Sequence, residues 1–172
     1  KMDKKIAKIQ NGSNHNKDLS ALLIEAAKSG QTEDVALLIA NGATVDHTNI
    51  LGDTSLIMAA LGGHTEIARL LIANGAKVDH AGNADWTALM WASDRGHTGT
   101  AALLIAHGAN DHPNEHSETA LMYAAHKGHI EIAELLLRQK STTNINQANC
   151  FGATPLFVAA DLTELALALK GL

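Results

Sequence analysis

Residues 52–79 read GDTSLIMAALGGHTEIARLLIANGAKVD, and this stretch decides the fold because its parts recur along the chain. Gly63 and Gly96 are 33 residues apart, as are Thr54 and Thr87. The same two positions recur further along the chain as Gly30, Gly128, Thr119 and Thr154. Self-similarity at a period of this size is typical of a solenoid of stacked units.

Each unit carries the signals of two helices. Thr54 precedes an apolar stretch, where its side-chain oxygen can accept from the free N–H groups of a first helical turn. Gly63 is placed to end that helix in a left-handed cap, and Gly75 to end a second helix that contains Leu70 and Leu71. One buried leucine contributes about 1.5–3 kcal/mol, so two isolated helices bury too little apolar surface to offset the ordering entropy. The units are therefore expected to fold only as a stack, with a hairpin-like finger before each repeated threonine.

The composition agrees with a helical stack of this size. The chain has 172 residues and 18.1 kDa, enough for one domain or one short array. It holds 30 Ala and 23 Leu but only five aromatic residues, so we expect an aliphatic, helical core.

The repeated unit resembles the ankyrin repeat, whose pattern runs G-x-T-P-L-H-x-A-A-x-x-G-H-x-E-I-x-x-L-L-L-x-x-G-A-x-V-N. The resemblance implies an all-α ankyrin-repeat solenoid of stacked helix-turn-helix units with hairpin-like fingers. A lysine-rich tail or extension at 1–17 is expected to precede five units at about 18–48, 49–81, 82–113, 114–148 and 149–172. The first and last units are expected to act as caps, and the last one lacks the Gly-His turn, which suggests that its two helices fuse or reorient.

Three departures from the pattern stand out. Gly99 replaces the usual Glu, the third finger is one residue short, and two residues are inserted at 140–142.

Ten histidines raise the possibility of a metal site or of catalysis. For His64, His97 and His129, in the Gly-His turns, the resemblance implies a hydrogen bond to a neighbouring backbone carbonyl. A second column lies on the fingers at His47, His80 and His112. Packed helices lie about 8–10 Å apart, which spaces such a column too widely for one zinc ion with Zn–N near 2.1 Å. We therefore predict no metal, no cofactor and no catalytic residue.

Charge, hydropathy and cysteine content limit which partners and which cellular compartment the sequence predicts. Residues 1–17 carry a charge of +4 and residues 18–172 carry −9, so the body lacks the basic stripe that nucleic acids require. No apolar run reaches the roughly 18–20 residues of a membrane span. Cys150 is the lone cysteine, which is typical of a reducing compartment. We expect a monomeric intracellular protein, with an export signal upstream of residue 1 left open.

The resemblance implies that partners are held on a concave face formed by the fingers and the outward side of the first helices. Apolar side chains on fingers that face water indicate anchors of the kind that dominate protein interfaces. The residues predicted to contact a partner are Ile50, Leu51, Asp53, Leu61, Trp86, Trp91, Asp94, Arg95, Glu118, Tyr123, His126, Lys127 and Phe151.

Trp86 is the most informative of these residues. At the same position other units have Asp53, Glu118 and Ala153, which suggests that the position faces solvent and favours a partner contact. Packing against a neighbouring finger is the alternative. Trp91 and Tyr123 align with apolar residues of other units, so we expect them to be mainly structural, with an edge open to a partner.

The sequence thus predicts a non-catalytic protein-binding module, working as an adaptor, scaffold or inhibitor. Two alternatives remain open at this point. One is a histidine-dependent metal-binding or enzymatic protein, and the other is a fragment of a larger protein whose activity lies outside these residues.

Overall fold

A computed structural model describes residues 2, 6, 15–139 and 144–159. These residues are predominantly helical, which confirms the predicted all-α class. The helices are α1 (His15–Lys28), α2 (Thr32–Ala40), α3 (Ser55–Leu61), α4 (Thr65–Ala73), α5 (Ala88–Arg95), α6 (Thr98–Ala106), α7 (Ala120–Lys127), α8 (Ile130–Arg138) and α9 (Pro155–Val158).

The helices form two parallel rows. The first helices of the units, α1, α3, α5, α7 and α9, pack in series, and the second helices α2, α4, α6 and α8 do the same. The first-helix row is the more closely packed because its contact positions are small, as with the fully buried Ala59, Ala92 and Ala124. We call this more closely packed row of first helices the inner row.

The threonines cap the first helices as the sequence predicted. The hydroxyl of Thr54 accepts a hydrogen bond from the Ile57 N–H at 3.4 Å, and Thr87 accepts from Met90 at 3.3 Å. Thr119 and Thr154 cap their helices in the same way. Each cap satisfies one N–H group that the helix cannot pair internally.

The histidines of the Gly-His turns tie each unit to the one before it. The Nε2 atom of His97 lies 3.2 Å from the Leu61 carbonyl oxygen, and His129 Nε2 lies 3.2 Å from that of Asp94. His64 makes the same contact with the carbonyl of Lys28. The role implied by the resemblance is confirmed: these imidazoles hydrogen-bond to backbone carbonyls between units.

A pair of glycine variants separates backbone strain from this histidine packing. Gly96 and Gly108 are both left-handed, with φ of 73° and 87°. A Cβ at Gly96 would lie 2.5 Å from the His129 ring, whereas nothing lies within 4 Å of a Cβ at Gly108. Gly108→Ala is expected to lower the free energy of unfolding by about 1–2 kcal/mol from strain alone.

Gly96→Ala should cost about 1 kcal/mol more than Gly108→Ala, because the displaced imidazole also loses its hydrogen bond. Urea unfolding of both variants measures the difference. Equal losses would contradict the packing role of the histidine.

Three of the fingers are closed by an asparagine. Asn49 Oδ1 accepts from the N–H of Leu51 at 2.8 Å and from that of Asp53 at 3.0 Å. Asn114 and Asn149 make the equivalent pairs of bonds. The second finger has Gly82 at this position and cannot be closed in this way.

Near both ends of the described region, the structure bears on the predicted boundaries of the repeats. Met2 and Ile6 are helical and pack against the core, and Ile6 is buried, so at these two positions the predicted tail or extension lies against the stack. Helix α1 begins at His15, and the division at residue 18 stays a prediction. The predicted insertion at 140–142 and the predicted fusion of the last helices beyond 159 lie outside the described residues.

Candidate functional site

Three aromatic side chains meet on the inner side of the stack. Trp86 comes from the second finger, Trp91 from α5 and Tyr123 from α7. The Trp86 ring centroid lies 4.3 Å from that of Trp91 and 4.3 Å from that of Tyr123, with interplanar angles of 38° and 41°. All three are half-buried and pack against the core, so this aromatic cluster is anchored on one side and open on the other.

Local structure places each ring. Trp91 lies one turn after the cap Thr87, and Tyr123 occupies the same position in the next unit, so the two rings project from neighbouring helices. The Trp86 N–H donates to the Asn83 carbonyl at 3.0 Å and its carbonyl accepts from the Gly82 N–H at 2.9 Å. These bonds hold the second finger so that the indole at 86 reaches both rings.

The burial of Asp53 contradicts the expectation that the finger position it shares with Trp86 faces solvent. Its side chain is buried, at 6% exposure, because Oδ1 accepts from the Asn83 N–H of the next finger at 3.1 Å. A partner contact by the Asp53 side chain is therefore not supported. Trp86 was predicted either to contact a partner or to pack against a neighbouring finger. Its ring packs against the two neighbouring rings, and part of its surface stays exposed.

Tyr123 is fixed by its hydroxyl group. That hydroxyl donates to a carboxylate oxygen of Glu118 and accepts from Asn114 Nδ2 at 3.0 Å. Burial, followed by the neighbouring Glu118 carboxylate, raises the pKa of Tyr123 well above its usual range. The phenol thus stays neutral and keeps its ring in place.

Charged side chains lie at the carboxyl ends of α5 and α7. The Asp94 carboxylate lies 3.4 Å from Arg95 Nε and 3.8 Å from Lys127 Nζ. The Arg95 guanidinium is also 5.9 Å from the centre of the Trp91 ring. Of three predicted contact residues, Arg95 thus lies beside the aromatic cluster, and Asp94 and Lys127 form ion pairs next to it.

The remaining predicted residues are scattered. Ile50 and Leu51 are exposed at the tip of the first finger, and Phe151 is exposed at the tip of the fourth. Leu61 is half-buried and packs against the core, while His126 is exposed at the end of α7. The structure therefore concentrates the candidate site around the aromatic cluster, on the second and third fingers and the helices beside them.

Two polar residues of this region were missed by sequence reasoning. Asn114 joins Tyr123 to the closure of the third finger, and Asp111 is buried with its Oδ1 accepting from the Ala120 N–H at 2.6 Å. Burial raises the pKa of Asp111 from 3.8 to about 6. The signal that could have revealed Asp111 was the one residue missing from the third finger.

The described residues hold no grouping of three or more His, Cys, Asp or Glu side chains suited to binding a metal ion. None of the described helices has both the length and the apolar character that crossing a membrane requires. Cys150 is exposed on the fourth finger, and its N–H donates to the His116 carbonyl at 3.0 Å.

Paired helices stacked in two rows, with fingers beside the inner row, define a helical solenoid that offers an extended face. The family model for ankyrin repeats, described as three copies, matches residues 23–115 and 109–170. The chain belongs to the ankyrin-repeat family, which is typically non-catalytic and generally mediates protein–protein interaction. A search of curated proteins gives no match.

Proposed function

We propose that this chain is a non-catalytic adaptor, scaffold or inhibitor that holds a protein partner against the aromatic cluster. The observation that carries the proposal is the cluster itself, in which Trp86, Trp91 and Tyr123 are half-exposed and bordered by Arg95. Trp, Tyr and Arg are the residue types enriched among the few that dominate the binding energy of protein interfaces.

The cluster is also held in place before any partner arrives. The Trp86 ring packs against two other rings, and the Tyr123 hydroxyl is hydrogen-bonded to Glu118 and Asn114. Asp53 also joins the first finger to the second by a hydrogen bond. Ordering a side chain on binding costs about 0.5–1.5 kcal/mol, and a surface that is already ordered avoids most of that cost. Rigid presentation is therefore the proposed mechanism.

Trp86→Ala is expected to weaken partner binding by about tenfold or more, as for a hot-spot residue. It should also lower the free energy of unfolding by about 1–3 kcal/mol, because two ring contacts are lost. Titration calorimetry with the purified partner measures the first effect, and thermal unfolding measures the second.

The matched control for that variant is Arg138→Ala on the second-helix row. The Arg138 side chain is 74% exposed and forms an ion pair with Glu134 of its own helix, at 3.6 Å. Wild type, Trp86→Ala and Arg138→Ala are used to capture partners from a lysate of the source organism, at a temperature where all three are folded. A protein held by wild type and Arg138→Ala but lost with Trp86→Ala supports the proposal.

Equal capture by all three forms would contradict a binding role of the cluster. Stoichiometric zinc in untagged protein would instead favour the histidine-dependent alternative.

A further inference from the structure

One border of the aromatic cluster is basic. Arg95 and Lys127 have side chains that are 54% and 47% exposed, while the Asp94 carboxylate they share is only 17% exposed. The two cations therefore face solvent, and the anion that partly neutralises them is largely covered.

The opposite border, on the fingers, is acidic. Asp85 is exposed beside Trp86, and Glu115 is exposed at the tip of the third finger. Glu118 adds a half-buried carboxylate, which accepts a hydrogen bond from the Tyr123 hydroxyl. Across the cluster, a ligand thus meets positive charge at the helix ends, aromatic surface in the middle and negative charge at the fingers.

Two further features of this region carry a cost in stability. Ala84 and Asp85 are consecutive left-handed residues without being glycine, with φ of 54° and 58°. Strained non-glycine residues cost about 1–3 kcal/mol each and cluster at ligand sites. The Nε1 atom of Trp91 is buried, and among the described residues no acceptor lies within hydrogen-bond distance of it.

Building on the proposed function, we infer that the aromatic cluster is the subsite for one extended segment of the protein partner that carries a carboxylate next to an apolar or aromatic side chain. The apolar side chain lies on the exposed surface of Trp86 and Tyr123. The carboxylate pairs with the exposed side chains of Arg95 and Lys127.

Charge complementarity selects this occupant over others. A basic side chain at the helix ends would meet Arg95 and Lys127, and like charges there oppose binding. The acidic border at the fingers disfavours a second carboxylate on that side, so the segment binds in one direction. Because the charges lie at the surface, the affinity should fall as salt is added.

A peptide display library tests the inference directly, because the segment is defined by its chemistry. Random 12-residue peptides on phage are panned on the wild-type chain. We expect the recovered peptides to be enriched in Asp or Glu within four residues of an aromatic or large aliphatic side chain. Synthetic copies should bind about three- to thirtyfold more weakly to Arg95→Gln/Lys127→Gln than to wild type, as expected when two surface ion pairs are lost.

The matched control is Arg69→Gln/Arg138→Gln. It removes the same charge from the second helices, where both side chains are exposed, at 56% and 74%. We expect its affinity to stay within about twofold of wild type if specific pairing, rather than net charge, is responsible. Circular dichroism of both double variants checks that they are folded.

The outcomes separate this inference from the proposed function. Peptides that require Trp86 but lack acidic residues, or bind Arg95→Gln/Lys127→Gln as well as wild type, overturn the inference and leave the proposed function standing. If neither a selected peptide nor a captured protein depends on Trp86, both are overturned.

Discussion

Leu71→Ala is expected to lower the free energy of unfolding by about 2–5 kcal/mol, the range for creating a cavity in a packed core. Leu71 lies on α4 and has no exposed surface. Its helix packs against α3 of its own unit and against the second helices α2 and α6 on either side. The cavity therefore forms on a helix that packs against three others.

Urea unfolding followed by circular dichroism measures this loss. Indole fluorescence from Trp86 and Trp91 reports the third unit separately, so coincident transitions by the two probes show whether the array unfolds as one. Arg69→Ala, at an exposed position on the same helix, serves as control and should change stability by less than about 0.5 kcal/mol. A similarly small effect of Leu71→Ala would contradict the register of the repeats.

The second large effect concerns Asp111. In the first two fingers the equivalent carboxylates face the next finger: Asp46 Oδ1 accepts from the Lys77 N–H at 3.0 Å, and Asp79 Oδ1 accepts from the Asn110 N–H at 2.9 Å. The third finger is one residue shorter, and Asp111 is buried instead. Its Oδ1 accepts a hydrogen bond from the Ala120 N–H, but its Oδ2 has no hydrogen-bond partner among the described residues.

This burial makes the stability of the chain depend on pH. Burial raises the pKa of Asp111 from 3.8 to about 6, and a raised carboxyl pKa means that the folded chain binds the proton more tightly than the unfolded one. The stability contributed by protonation is fully present below pH 3.8 and is lost as the pH rises through about 6. At about 1.4 kcal/mol per pKa unit, the ionised carboxylate lowers the free energy of unfolding by about 3 kcal/mol above that pH.

Asp111→Asn keeps an oxygen acceptor for the Ala120 N–H but removes the charge. We expect the variant to be more stable than wild type by about 2–3 kcal/mol at pH 7.5, with the gain shrinking toward pH 4. Chemical unfolding of both proteins across this range isolates Asp111, since their other titrating groups are shared. A difference that stays constant with pH would show that the carboxylate is not the cause.

The sequence predicted the three rings of the candidate site as contact residues, but it placed Asp53 in solvent although that side chain is buried. Trp91 and Tyr123 were expected to be structural with an open edge, and they are half-buried. Trp86 was expected to project from a solvent-facing column, yet its ring packs against both of these rings. The error came from reading Asp53 as exposed because it is charged, whereas a backbone N–H of the next finger holds it inside.

The histidine hydrogen bonds were expected from the family resemblance, whereas the sequence by itself determined the repeat, its period and the threonine caps. These depend on which residues stand a fixed number of positions apart, and local backbone geometry converts that spacing directly into structure. Only the tertiary structure decided that Trp86, Trp91 and Tyr123 form one cluster and that Asp111 is buried. Both depend on distances between side chains of neighbouring units, which are set by how the helices and fingers pack and not by spacing along the chain.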